Sequence, residues 1–215
     1  MATGTEGPTD LGFVHRYEPG EGPLTLLLLH GTGADENDLI PLGRAVAPGA
    51  RLLSPRGQVL ENGMPRFFRR LAPGVFDVDD LKRRTAGLAR FVGGAAERYG
   101  FESRDVVSVG YSNGGNIAAS LLLSYPGAVG AAALLHAMVP FHPETLPDLA
   151  GTPVLLTGGM RDPMIPRDQT QELARMLEDA GADVELDLGP GGHELTREEV
   201  EKVHAWIARL PRRAA

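Results

Sequence analysis

The sequence predicts an α/β domain: a mostly parallel central sheet flanked by helices. Three observations point there. Short apolar runs alternate with amphipathic stretches along 215 residues, as strand–helix units require. The run Leu24–Leu29 is apolar apart from Thr25, which suits a strand covered on both faces. The length is enough for one substantial core and rarely for two.

The elements follow in order. Met1 to Asp10 is small and polar and reads as a flexible segment, with the folded domain spanning 11–215. Phe13–Tyr17 is expected to be an early edge strand ending at Pro19-Gly20. Further strands are expected at Leu24–Leu29, Arg51–Leu53, Val106–Tyr111, Ala131–Leu135, Val154–Thr157 and Val184–Leu188. Alanine favours helix, so the strand at Ala131–Leu135 rests on its place in the alternation. Asp79–Tyr99 places Leu81, Leu88, Phe91 and Val92 at helical spacing, although Gly93-Gly94 implies an early end or a close backbone approach. Asn113–Ser124 is a helix of small residues and leucine stopped by Pro126. Arg167–Ala180 is a helix ended by Gly181. Thr196-Arg197-Glu198-Glu199 has the form of a capping box, and Val200, Val203, Trp206, Ile207 and Leu210 carry the last helix beyond it. Ser54 to Val78 contains four glycines and prolines between Pro55 and Pro65 and shows no clear element. Its aromatics, Phe67, Phe68 and Phe76, place it over one end of the sheet.

Composition narrows the function. The net charge of −7 argues against nucleic-acid binding, which needs a basic face. The absence of cysteine removes disulfides, thiolate metal sites and a cysteine nucleophile, and fits a reducing cytoplasm. No secretion signal and no apolar run of membrane-spanning length are seen. The expectation is a soluble cytoplasmic protein, with neither nucleic acid nor membrane insertion among its partners.

The motif that carries chemistry is Gly110-Tyr111-Ser112-Asn113-Gly114, between a predicted strand and a predicted helix. A G-x-S-x-G at that junction is a nucleophile elbow, in which the glycines let strand and helix backbones approach. It makes the expected fold a single-domain α/β-hydrolase. Serine needs a base, and fold order places it on the loop before the last helix. Of the six histidines, His193 in Gly191-Gly192-His193-Glu194 sits there. His204 falls inside the last helix, while His136 and His142 are assigned to pocket lining or local bonding. The third member is Asp162, after the penultimate strand, with Asp168 a rival inside the next helix. Asp162 would hold the imidazole tautomer. The oxyanion donors are the N–H groups of Asn113 and of Thr32 in His30-Gly31-Thr32-Gly33. His30 itself is assigned a structural place. Phe67, Phe68, Phe76, Met160 and Met164 are candidates for the pocket wall, against the alternative of ordinary core packing. Arg66, Arg69, Arg70 and Arg161 suggest an anionic substrate, against the alternative that they pair with nearby acids.

The four motifs His30-Gly31-Thr32-Gly33, Gly110 to Asn116, Gly158 to Pro163 and Gly192 to Thr196, in that order, resemble the phospholipase/carboxylesterase family. The resemblance runs from about Gly22 to Leu210. It implies an α/β-hydrolase with little or no lid, no cofactor and no metal, acting on a small-molecule ester or thioester. Asn113, where thioesterase members usually carry Gln, and the Pro65 to Arg70 segment look more like the bacterial carboxylesterase branch. A possible homodimer is compatible with this reading. Acyl-thioesterase or lysophospholipase activity, and a non-catalytic binding protein on the same fold, are the alternatives. A metal-dependent hydrolase using His136 and His142 has no supporting ligand spacing. A dienelactone-type hydrolase normally uses a cysteine that this chain lacks.

Overall fold

Leucines 26 to 29 are all fully buried, yet they divide between two cores. Side chains alternate across a strand, so Leu27 and Leu29 face one layer of helices while Leu26 and Leu28 face the other. This is why the strand reads as a continuous apolar run. The computed structural model describes residues 11–211 and the backbone of a two-residue strand at Thr5–Glu6. The remainder of the segment 1–10 lies outside the described residues.

The elements in chain order are β1 (Thr5–Glu6), β2 (His15–Glu18), β3 (Thr25–Leu29), α1 (Ile40–Val46) and β4 (Arg51–Pro55), followed by four short strands. Those are β5 (Val59–Glu61), β6 (Met64–Arg66), β7 (Arg70–Ala72) and β8 (Val75–Phe76). Then come α2 (Val78–Tyr99), β9 (Val106–Tyr111), α3 (Asn113–Ser124), β10 (Ala131–Leu135), β11 (Pro153–Gly159), α4 (Arg167–Asp179), β12 (Asp183–Gly189) and α5 (Arg197–Arg209). The main sheet has eight strands in the order β1-β2-β4-β3-β9-β10-β11-β12. The run from β4 to β12 is parallel, and β1 and β2 add antiparallel pairings at one side. The order reverses direction around β3, so the loops leaving β3 and β9 share one crevice beyond the carboxyl ends of the strands.

One face of the sheet carries α1 and α5 through Ile40, Val46, Val203 and Trp206. The other carries α2, α3 and α4 through Leu81, Leu88, Ile117, Leu121, Leu173 and Leu177. Each of these side chains contributes roughly 1.5–3 kcal/mol by leaving water.

Several expectations need correction. The early strand is not at the edge, because β1 pairs outside it. The segment Ser54 to Val78 is not without elements. It forms two hairpins, β5–β6 turning at Asn62-Gly63 and β7–β8 turning at Pro73-Gly74. Asn62 and Gly63 both have positive φ (52° and 80°), as a tight primed hairpin turn demands. The segment does lie over the carboxyl end of the sheet: the Gly33 N–H bonds Pro65 O and the Phe67 N–H bonds Asn113 Oδ1. Helix α1 was not anticipated. Its Gly43 suits a close approach, since a Cβ there would stand 2.9 Å from Leu28 and 3.0 Å from Leu52. In α2 the helix continues through Gly93-Gly94, and Gly94 packs against Leu11.

The predicted capping box is present: Thr196 Oγ1 accepts from the Glu199 N–H, and Glu199 Oε2 accepts from the Thr196 N–H. Thr196→Ala removes one of these bonds. It is expected to cost about 1 kcal/mol and to lower Tm by about 2–4 °C in calorimetry. An unchanged Tm would mean that the cap is solvated rather than stabilising.

Candidate active site

Ser112 stands where β9 turns into α3, at φ 54° and ψ −112°. That positive φ is unfavourable for a residue with a Cβ. The turn is imposed by packing on both sides. A Cβ on Gly110 would lie 2.4 Å from Gly114 O, and one on Gly114 only 1.9 Å from Leu29 O. Both motif glycines are therefore required by backbone contact between β9, α3 and β3. The Ser112 N–H donates to Leu135 O at 2.8 Å, anchoring the elbow to β10.

His193 Nε2 lies 2.9 Å from Ser112 Oγ, and His193 Nδ1 lies 2.7 Å from Asp162 Oδ2. Two loops bring these residues together, and backbone bonds latch the loops: the Met160 N–H to Gly189 O and the Arg161 N–H to Gly191 O. Gly159 allows that contact, because a Cβ there would stand 2.1 Å from Gly192 O. Tyr111 OH donates to His193 O at 2.5 Å, holding the loop from below. Asp168, the rival acid, lies in the first turn of α4, while Asp162 is the carboxylate on His193.

Asp162 is almost completely buried as a side chain. Burial opposes its charge, but hydrogen bonds from His193, the Ile165 and Met164 amides and His136 outweigh this and hold its carboxyl below the ordinary range. Tyr111, buried and facing Asp162 and Glu199, is pushed up to about 12 and stays a neutral phenol.

Asn113 is the first residue of α3, directly after the serine, and Thr32 lies on the loop after β3. The Asn113 side chain is buried and accepts the Phe67 N–H at 2.8 Å, tying the hairpin segment to the elbow. Thr32 is exposed, with its hydroxyl accepting from buried Arg66 at 2.8 Å. His30 uses both nitrogens on backbone, Nδ1–H to Gly31 O and Nε2 from the Gly57 N–H. Burial pushes its pKa down, in keeping with a neutral ring.

The aromatic candidates for the pocket wall divide. Phe67 and Phe68 are fully buried and belong to the core: Phe67 packs on the His30 ring at 4.7 Å and Phe68 edge-on to Phe76 at 5.0 Å. Arg66, Phe67 and Phe68 are buried in succession, so this stretch is enclosed on both sides rather than lining a pocket. Phe76 is half-buried, whereas Met160 and Met164 are exposed on the loop that carries Asp162. The arginines are paired: Arg66 and Arg70 with Glu61, and Arg69 with Asp77. Arg161 donates to Pro190 O at 2.7 Å. A cavity of about 490 Å³ opens at the opposite end of the sheet among Leu24, Val107, Ala131 and Pro153. It is remote from Ser112 and does not size the site.

Sequence reasoning missed the role of His136. Its Nδ1 is 3.1 Å from Asp162 Oδ2 and its Nε2 is 2.9 Å from Glu199 Oε1, at the base of the candidate triad. His142 instead faces Glu172 on the surface at 3.5 Å, so the two histidines share no partner. Among the described residues, one group with metal-ligand atom types is found, His136, Asp162 and His193, with those atoms within 4.8 Å of one another. Both histidine nitrogens address the same Asp162 oxygen at hydrogen-bonding distance, so the group is a hydrogen-bonded charge system.

Comparison with known proteins places the chain among hydrolases. The profile of the dienelactone hydrolase family matches residues 78–208, more than half of the chain. The chain belongs to the dienelactone hydrolase family. The missing cysteine therefore does not separate it from that family, and the elbow position is Ser112. This family member is 50% identical over 192 residues to MhqD of Bacillus subtilis (strain 168), whose designation as a hydrolase is itself an inference. The match covers 89% of this chain and 96% of MhqD. The crystal structure of the Bacillus cereus carboxylesterase superposes with a TM-score of 0.90 at 47% identity, covering 92% of this chain and 94% of that one. A carboxylesterase from Mesorhizobium loti gives 0.88 at 35% identity, covering 94% and 97%. These neighbours agree with the resemblance to phospholipase/carboxylesterase enzymes and with a single α/β-hydrolase domain. No helix of the described residues is long and apolar enough to cross a membrane.

Proposed function

We propose that the protein is a serine carboxylesterase acting on small to medium carboxylic esters through an acyl-enzyme. The observation that carries this reading is the continuous chain from Ser112 Oγ through His193 to Asp162, at 2.9 and 2.7 Å. His193 Nε2 removes the Ser112 proton as Oγ attacks the ester carbonyl carbon. The negative charge that develops on the carbonyl oxygen is received by the N–H groups of Asn113, at the positive end of α3, and of Thr32. Collapse of this intermediate breaks the bond to the alkoxy oxygen, which takes the proton from His193 and leaves as the alcohol. Water then attacks the acyl-enzyme with the same histidine as base, releasing the acid and restoring the Ser112 hydroxyl. Asp162 holds Nδ1–H and stabilises the imidazolium formed in each half. Thioesters would react by the same steps. The carboxylesterase neighbours and the cysteine-free composition support an ester hydrolase working in the cytoplasm.

The test uses two readouts on the purified chain: hydrolysis of p-nitrophenyl esters from acetate to palmitate, and intact mass after treatment with a fluorophosphonate. The expected outcome is turnover of the shorter esters and one stoichiometric adduct that peptide mapping places on Ser112. Absence of both turnover and adduct would refute the esterase reading and favour a binding protein on this fold.

A further inference from the structure

His136 follows directly on β10 at φ 51°, a conformation that a residue with a side chain adopts only when its surroundings hold it there. Its N–H is held by Thr157 O at 3.0 Å. The ring fills a closed slot, with only 2% of the side chain exposed, between a carboxylate from the loop after β11 and one from α5. The contacts of that ring dictate its protonation. Ionised carboxylates only accept hydrogen bonds, and a neutral imidazole has one N–H. Here both ring nitrogens face carboxylate oxygens, at 3.1 Å from Asp162 and 2.9 Å from Glu199.

A proton on either carboxyl instead is disfavoured, because the other donors that each carboxylate holds stabilise its ionised form. Glu199 Oε1 already accepts from Thr157 Oγ1 at 3.0 Å, and its Oε2 accepts from the Thr196 N–H at 2.9 Å. Asp162 Oδ1 accepts the Met164 and Ile165 amides at 2.8 and 3.0 Å.

We propose that His136 is a fixed imidazolium, with Glu199 as its counterion, that positions Asp162 and offsets its charge at His193. It is a positioning residue. The claim rests on the esterase reading only for its effect on turnover; the charge of His136 stands on the hydrogen-bond geometry. The titratable groups around the ring are Asp162, Glu199, the His193 ring at 5.2 Å, the Tyr111 ring at 5.8 Å and, farther out, Glu194. Burial disfavours the charge on His136, but the two carboxylates outweigh it and raise its pKa. Burial likewise pushes Glu199 up, and its bonds to His136, Thr196 and Thr157 bring it down to about 2. The sign follows. The His136 cation persists as pH rises until its raised pKa is passed, while both carboxylates remain ionised down to acid pH. One net negative charge is then left beside the His193 ring.

The first experiment reads the charge directly, on the wild-type chain carrying nitrogen-15 histidine. Long-range proton–nitrogen spectra between about pH 6 and 8 should show two protonated ring nitrogens for His136, assigned by their loss in His136→Gln. One bare and one protonated nitrogen in that range overturns the proposal, whether or not the protein turns over esters. The second experiment compares pH profiles of kcat/KM. In His136→Gln two uncompensated carboxylates retain the proton on the base, so the acid limb moves up by about one pH unit. His136→Gln combined with Glu199→Gln removes both charges and returns the limb at least halfway. A purely structural role would lower kcat or Tm in both variants and leave the limb in place, which also overturns the proposal. If wild type shows neither ester turnover nor a serine adduct, the esterase reading fails and the positioning role with it, while the spectra still decide the charge of His136.

Discussion

Replacing Ser112 by alanine is expected to lower kcat for p-nitrophenyl esters by on the order of 10⁴-fold or more, with the fold retained. The size follows from the proposed mechanism. Without Oγ no acyl-enzyme forms, and His193 and the oxyanion donors can only assist direct attack by water, which leaves a small residual rate. The hydroxyl is a minor part of the packing, because the N–H of Ser112 to Leu135 O and the bond from the Asn116 N–H to Ser112 O are main-chain bonds that alanine keeps. Stopped-flow and steady-state assays should therefore show loss of the burst and of turnover together, with an unchanged unfolding curve. A variant that keeps wild-type kcat would show that another residue is the nucleophile. Ser112→Gly separates chemistry from strain. It should be equally inactive yet unfold at a higher temperature than Ser112→Ala, because glycine adopts φ 54° without the Cβ penalty. A site that is strained in the resting state is stabilised when its function is removed.

The second large effect lies in the backbone. Gly114→Ala is expected to lose more than about 4 kcal/mol or to prevent folding altogether. The added Cβ would stand 1.9 Å from Leu29 O, 2.4 Å from Leu29 C and 2.7 Å from His30 O. These are main-chain atoms of β3 and of the residue after it, and β3 is bonded to β4 on one side and β9 on the other. No rotamer relieves the contact, so α3 must lift off the sheet and carry Ser112 away from His193. Gly93→Ala is the internal control. Nothing lies within 4 Å of its Cβ position in α2, so it should raise stability by roughly 0.5–1 kcal/mol through the better helix propensity of alanine. Paired denaturant titrations measure both. A Gly114→Ala protein with wild-type stability would contradict the close approach of α3 and β3.

The residues themselves made much of this legible. A strand covered on both faces must be apolar at every position, so β3 stood out, as did β9 ahead of the elbow. The capping box at Thr196 marked the start of α5 because its two hydrogen bonds are local. Ser112, Asp162 and His193 could be ordered because each follows a strand that ends at the same edge of the sheet.

Other features were encoded more weakly. The Asn62-Gly63 and Pro73-Gly74 turns were signals for the two hairpins, but their strands are only two or three residues long and carry little periodicity. Helix α1 spans seven residues with a glycine inside it, too short for a helical pattern to emerge. Phe67 and Phe68 have the chemistry of a pocket wall, and only their position under the loop after β3 makes them core.

The sequence by itself thus determined most of the strand and helix succession and the order of the G-x-S-x-G motif and its two candidate partners, since these depend on local periodicity and short motifs. Tertiary structure alone decided that His136 turns into the slot between Asp162 and Glu199 rather than lining the pocket. Its partners are 26 and 63 residues away in the chain, on elements whose approach is set by the packing of β10, β11 and α5. A side chain's charge depends on which groups surround it in space, and no local pattern of residues records that.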